Sequence, residues 1–177
     1  RIQLIENAFI HLTPTHQAPI PAVFLDRDGT INVDHGHIQT PEDLALLSGA
    51  ATAIRQLNES QYLSVVVTNQ YVIARGKCTE NDMDGIHSRL QSLLGEYGAS
   101  IDRIYYCPHH PDQSKCLCRK PNSLLIEKII ARFEIDPEGS FFIGDRERDI
   151  IAGGSAGLTG ILIESNSSLL EITSMIP

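Results

Sequence analysis

Between residues 22 and 164, short apolar runs alternate with longer stretches of helical character, and that order narrows the possible folds sharply. The runs at 22–26, 63–68, 101–107, 141–145 and 160–164 read as strands, and 41–59, 79–97, 121–134 and 147–156 read as helices. Thr79, three residues before Asp82, has the pattern of a capping box. Pro121 suits a first helical turn. Alternation of this kind predicts an α/β fold, a Rossmann-like parallel sheet with helices on both faces. A chain of 177 residues is long enough for one domain with a real core. Residues 1–21 are weakly patterned and carry Pro14, Pro19 and Pro21, so they read as a lead-in or linker with one short strand, IQLI. The domain proper is expected over 22–177.

In open α/β sheets, ligands bind outside the carboxyl ends of the strands. The first strand, AVFL, ends in Asp26, and Asp28 follows one residue beyond Arg27. Side chains two apart along a strand point the same way, so two carboxylates are expected side by side. Their repulsion and desolvation favour a bound cation. The second strand delivers Thr68, Asn69 and Gln70, and the fourth delivers Asp145, with Asp149 one turn on. Arg119 and Lys120 stand just before the third helix.

Acids, a hydroxyl and a lysine gathered in one place suit phosphoryl transfer, with Mg²⁺ as the hard cation for hard oxygen ligands. Asp26 is the expected nucleophile. Asp28 is the expected proton donor to the leaving oxygen and then proton acceptor from water. Thr68 and Lys120 are expected to hold the phosphoryl oxygens, Asp145 to complete the metal site, and Gly29 to let backbone amides approach the phosphate.

Composition removes several alternatives. A net charge of −8 argues against a general nucleic-acid surface, and no apolar run is long enough to cross a bilayer. The cysteines are Cys78 alone and Cys107, Cys116 and Cys118 in a cluster, a spacing that suits a metal in a reducing, cytoplasmic setting better than a disulfide scaffold. Cys107-Pro-His109 and Cys116-Leu-Cys118 together offer three sulfurs and an imidazole, a closed tetrahedral set for Zn²⁺, with His110 as a rival ligand. Such a site would pin the 107–118 loop that leads into Arg119 and Lys120.

The ordered motifs DRDGT, a hydroxyl residue after a strand, a basic residue before a helix and GDRERD resemble the haloacid dehalogenase superfamily of aspartate-nucleophile phosphatases. FLDRDGTINVDHG, VVVTNQ, IARG, YYCPHHP and CRKP are similar to its heptose-bisphosphate phosphatase branch, whose nearest relatives are histidinol-phosphate phosphatases. That resemblance implies a small phosphorylated sugar as substrate. It implies Mg²⁺ held by Asp26, by Asp28 through its backbone carbonyl, and by Asp145. Implied substrate contacts are Asp34, His35, Gly36, His37, Thr68, Asn69, Gln70, Arg119, Lys120 and Arg146. The family also carries zinc in the Cys107–Cys118 loop, and its alignment favours His109 over His110.

Departures from the family pattern lie on the substrate side. Tyr71 and Val72 stand where the family has a small residue and glycine, His37 where it has tyrosine, and Arg146 where it has lysine. Asn122 to Leu124 replace a common Pro-Gly turn. No insertion between Asp28 and Thr68 or between Thr68 and Lys120 is large enough for a mobile cap. A minimal cap is therefore expected, with loops 33–40 and 107–118 framing an open pocket. The lead-in raises the expectation of a fused or associated sugar-nucleotide enzyme upstream. A phosphoacceptor switch is the alternative of a different class, and Asp28 and the zinc loop argue against it.

Overall fold

The computed structural model describes residues 19–36, 38–174 and 176. The IQLI strand expected in the lead-in and the substrate contact expected at His37 lie outside them. Five strands, β1 (Ala22–Leu25), β2 (Leu63–Asn69), β3 (Arg103–Cys107), β4 (Phe141–Gly144) and β5 (Thr159–Leu162), form one sheet in the order β3-β2-β1-β4-β5. Every pairing is parallel. The helices are α1 (Ala50–Asn58), α2 (Glu80–Gly95), α3 (Leu124–Phe133), α4 (Glu147–Ser155) and α5 (Leu170–Thr173).

The sheet is covered on both faces, as the alternation requires. Along β1, Val23 and Leu25 point into a cluster with Ile54 of α1 and Ile86, Leu90 and Leu94 of α2. Ala22 and Phe24 point the opposite way, towards Ile126 and Ile129 of α3 and Ala152 of α4. Phe24 and Phe142 stack across β1 and β4 with centroids 6.2 Å apart. With β1 central and fully buried, whatever follows Leu25 is delivered into the middle of the sheet's carboxyl edge.

The expected helix over 41–59 is two elements. A 3₁₀ turn spans Pro41–Asp43, and α1 begins only at Ala50. Between them the chain is extended and lies antiparallel to the segment after β1. The Val33 amide donates to Ala45 O at 2.9 Å, and the Leu47 amide donates to Ile31 O at 2.9 Å. Pairing with that segment thus outweighs helix propensity, and Gly49, at φ +79°, turns the chain into α1. The third helix starts at Leu124 rather than at Pro121, because Asn122 donates to Arg119 O at 2.9 Å and closes a turn there. The capping box at Thr79 and Asp82 is present. Cys78 is buried among core side chains.

Candidate active site

The two carboxylates after β1 take different partners. Asp26 turns down towards the sheet, where Lys120 Nζ lies 3.0 Å from its Oδ1. Lys120 is 2% exposed. It donates to Val67 O at 2.7 Å and lies 2.7 Å from Asp149 Oδ1. A buried ammonium is therefore shared by Asp26, Asp149 and a strand carbonyl, which is how such a charge becomes tolerable away from water. Burial first, and then the charge of Asp26, push the Asp149 carboxyl up, against the pull of Lys120.

Asp28 points to Arg27, the residue between the acids. Arg27 is fully buried and grips Asp28 as a fork, Nε to Oδ1 and Nη2 to Oδ2, each at 3.0 Å. Asn32 Nδ2 donates to Asp28 Oδ1 at 3.0 Å and Gln70 Nε2 donates to Oδ2 at 2.9 Å. Burial raises the Asp28 pKa, but the Arg27 charge and these hydrogen bonds outweigh it, so the net shift is downward. The far side of Arg27 meets Met83 Sδ at 3.3 Å and His87 Nε2 at 3.4 Å, both on α2.

The residues from β2 act together. Gln70 Nε2 also donates to Thr68 Oγ1 at 2.9 Å, tying the hydroxyl to Asp28. Asn69 clamps the backbone of Lys120 in both directions, donating to its carbonyl at 3.0 Å and accepting from its amide at 3.1 Å. Asn69 thus docks the lysine's loop onto the strand.

Opposite them stands Asp145, whose side chain is 1% exposed. Its Oδ1 is buried and meets no donor among the described residues, while Arg146 Nε lies 3.1 Å from Oδ2. Asp26, Asp145 and Asp149 each place one carboxylate oxygen within 4.8 Å of the others. Hard oxygen donors around an orphaned buried oxygen fit a divalent cation such as Mg²⁺. Gly29 makes the approach possible. At φ +80°, a Cβ there would sit 2.5 Å from Asp145 Oδ2.

Above these groups opens a cavity of about 270 Å³ lined in part by Asp26, Asp28, Asp34, Thr68, Gln70 and Arg146. Asp34, from the loop after β1, is 3.4 Å from Arg146 Nη2. Gly36 and Ile38 of the same loop line the wall, whereas His35 is exposed and does not. Lys120 lies beneath the cavity, and Arg119 stands behind Tyr71, which does line it. The 107–118 loop supplies no lining residue, so of the two loops expected to frame the pocket only the first does. The second instead backs Tyr71 through His110, whose ring meets it edge-on at 5.4 Å.

Cys107, His109, Cys116 and Cys118 also converge, each offering a donor within 4.8 Å of the rest. Cys107 Sγ lies 3.6 Å from Cys116 Sγ and 3.3 Å from Cys118 Sγ, and His109 Nδ1 is 3.3 Å from Cys118 Sγ. Tetrahedral zinc with Zn–S of about 2.3 Å requires sulfur separations of about 3.8 Å, so the set fits with slight expansion. His110 turns away, accepting from the Asp112 amide at 3.2 Å.

Arg27 and His87 were not singled out in the sequence. A basic residue between two acids reads as a surface charge until α2 is folded over it. Asp149 was visible in GDRERD, but nothing in the spacing showed that it would reach Lys120.

Similarity to known proteins agrees with this geometry. Residues 117–173 match a family model described as HAD-hydrolase-like. The chain is 40% identical over 155 residues to a Haemophilus ducreyi protein named D-glycero-beta-D-manno-heptose-1,7-bisphosphate 7-phosphatase, covering 84% of this chain and 85% of that one. A Pasteurella multocida protein of the same name is 36% identical over 156 residues, with 85% of each covered. The crystal structure of D,D-heptose 1,7-bisphosphate phosphatase from B. bronchiseptica, complexed with magnesium and phosphate, superimposes with a TM-score of 0.78 at 31% identity over 89% of both chains. Identity of this extent, on this sheet and around this cluster of acids and lysine, places the chain in the family of D-glycero-β-D-manno-heptose-1,7-bisphosphate 7-phosphatases, among the HAD-like hydrolases.

Proposed function

We propose that the protein removes the 7-phosphate from D-glycero-β-D-manno-heptose 1,7-bisphosphate by way of an aspartyl phosphate. The observation that carries this reading is Asp26 at the cavity floor with Lys120 Nζ 3.0 Å from its Oδ1. A carboxylate held beside a buried cation can attack phosphorus while the ammonium offsets charge on the transferring group.

In this reading Asp26 forms the bond to phosphorus as the sugar oxygen leaves. Asp28, ionised at rest in the grip of Arg27, is to take up a proton as the substrate binds, give it to that oxygen, and then take one from the water that cleaves the aspartyl phosphate. Its fixed orientation, from Arg27, Asn32 and Gln70, supports this role. Thr68 Oγ1 donates to a phosphoryl oxygen once substrate is bound. A divalent cation, when bound, neutralises charge on the phosphoryl oxygens. Asp26, Asp145 and Asp149 are the side chains that would hold it, with the backbone carbonyl of Asp28. Asp34, Gly36, Asn69, Gln70, Arg119 and Arg146 are assigned to the substrate side. Zinc in the Cys107, His109, Cys116 and Cys118 set would hold the loop leading to Arg119 and Lys120. Reduced cysteines at that set suit a cytoplasmic setting. Among the described residues, no helix is long and apolar enough to cross a membrane.

Phosphate release from the heptose bisphosphate, measured with and without Mg²⁺ and beside histidinol phosphate, tests the reading. The expected result is Mg²⁺-dependent turnover with a higher kcat/KM on the heptose bisphosphate, abolished by Asp26→Asn. Undiminished turnover by Asp26→Asn, or preference for histidinol phosphate, would overturn it.

A further inference from the structure

We propose that Asn166 is a positioning residue: its side chain latches the loop that carries Asp34 and Gly36 to the turn after Asp28, so that this loop meets the substrate already in place. The inference rests on the phosphatase reading above and deepens it on the substrate side.

Asn166 follows β5 and has φ +63°, a left-handed backbone that residues other than glycine seldom adopt and that asparagine tolerates better than most. It stands third in a turn that the Ser167 amide closes by donating to Glu164 O at 3.1 Å. The turn accounts for the backbone, and glycine would serve it with less strain. It does not account for where the side chain goes. Asn166 Oδ1 accepts from the Asp34 amide at 2.8 Å, a contact across 132 positions. The Asn166 amide in turn donates to Gly29 O at 2.9 Å. One residue thus ties the turn after Asp28 to the loop that walls the cavity. The segment packs closely there, since a Cβ at Gly29 would lie 2.7 Å from Ser165 Oγ.

The loop has little else to hold it. Its ends are anchored where the Val33 amide donates to Ala45 O and the Gln39 amide donates to Asp43 Oδ2 at 3.1 Å. Among the described residues between those anchors, the Asp34 amide alone makes a backbone hydrogen bond to another part of the chain. The Asp34 side chain passes that order on. Its Oδ1 accepts from the Gly36 amide at 2.8 Å, and its Oδ2 lies 3.4 Å from Arg146 Nη2 at the start of α4. Asp34, Gly36 and Arg146 all line the cavity. Without the latch, the entropy of ordering this set would fall on substrate binding.

Asn166→Gly separates the latch from the turn, because glycine keeps the left-handed backbone and removes the acceptor. Asn166→Asp keeps an acceptor at the same reach. The measurements are steady-state kinetics on the heptose bisphosphate and NMR-detected hydrogen exchange of the Asp34 amide, both on the full chain. Asn166→Gly is expected to raise KM about 2- to 12-fold, the worth of one net hydrogen bond, with kcat within about 2-fold of the wild type. Exchange of the Asp34 amide should quicken by a similar factor, and Asn166→Asp should hold it near the wild-type rate. A residue that serves only the turn would show neither change on becoming glycine. An unchanged KM or an unchanged Asp34 exchange in Asn166→Gly would overturn the inference. So would a fall in kcat at constant KM, or exchange quickened equally in Asn166→Asp. A wild type that does not turn over the heptose bisphosphate would overturn the phosphatase reading, and Asp34 exchange would then decide the latch by itself.

Discussion

The arginine buried between Asp26 and Asp28 makes a demand on His87 that acidification should expose. Arg27 Nη1 lies 3.4 Å from His87 Nε2, and a guanidinium can only donate. The imidazole must therefore accept, which requires it to be neutral. Burial first, and then the charge of Arg27, lower the His87 pKa from 6.5 to about 4, against a weaker opposing pull from Asp28. Tyr106, with its ring 5.6 Å away, completes the surroundings. As pH falls, unfolded chains take up a proton at His87 near the ordinary value, whereas folded chains resist until near pH 4. The unfolded state thus binds more protons throughout that window, and stability declines as pH drops through it. The full difference corresponds to about 3 kcal/mol, and about 2.5 kcal/mol of it should be lost between neutral pH and about pH 4.5. For a chain of this size that is a fall in Tm of about 5–10 °C. Melting followed by circular dichroism across this range, for the wild type and His87→Gln, isolates the effect, because glutamine can accept from Arg27 without titrating. The variant should lack this component, so that its Tm gains on the wild type by about that amount at the acid end. Parallel curves for the two proteins would refute the reasoning.

Arg27→Gln should lower stability by about 3 kcal/mol, the low end for breaking a buried ion pair because the Asp28 side chain is 27% exposed, with a Tm fall of about 6–12 °C by calorimetry. Gly29→Ala should cut turnover by at least about 100-fold, since the added methyl would meet Asp145 Oδ2 at 2.5 Å; a near-normal kcat would show that Asp145 is free to move aside. Metal analysis of the purified protein should give about one zinc per chain, and Cys118→Ser should lose it and lower both Tm and turnover. Retention of full turnover by a zinc-free protein would remove the loop from any part in placing Lys120.

Much of this arrangement was legible in the sequence because strand ends in a parallel sheet share one edge. AVFL, LSVVVTN and FFIG are apolar enough to be read as buried strands, and each hands a polar residue to that edge. The Cys107–Cys118 spacing was legible for a different reason, since four ligands so close in sequence have few ways to meet. Readings failed where a distant segment decided the outcome. Residues 44–47 look helical by themselves and became extended because Ile31 and Val33 offered backbone partners. Arg27 went unremarked in the sequence, yet α2 places Met83 and His87 over it. Asn69, expected at the substrate, lines the cavity and in addition ties down the backbone of Lys120, 51 positions away, a contact no local pattern announces. Side-chain destinations of this kind depend on tertiary packing, which local patterns do not encode.

The grip on Lys120 has a consequence for how the enzyme is assembled. Its ammonium is satisfied only when β1 brings Asp26, β2 brings Val67 and α4 brings Asp149. These segments are far apart along the chain, so the groups meet only after the slow, non-local pairing of parallel strands is complete. An intermediate lacking β4 and α4 would hold only half of this charge network. Catalytic readiness therefore arrives together with global folding, and an amide-exchange experiment should find the strand residues around Lys120 opening only with the whole molecule.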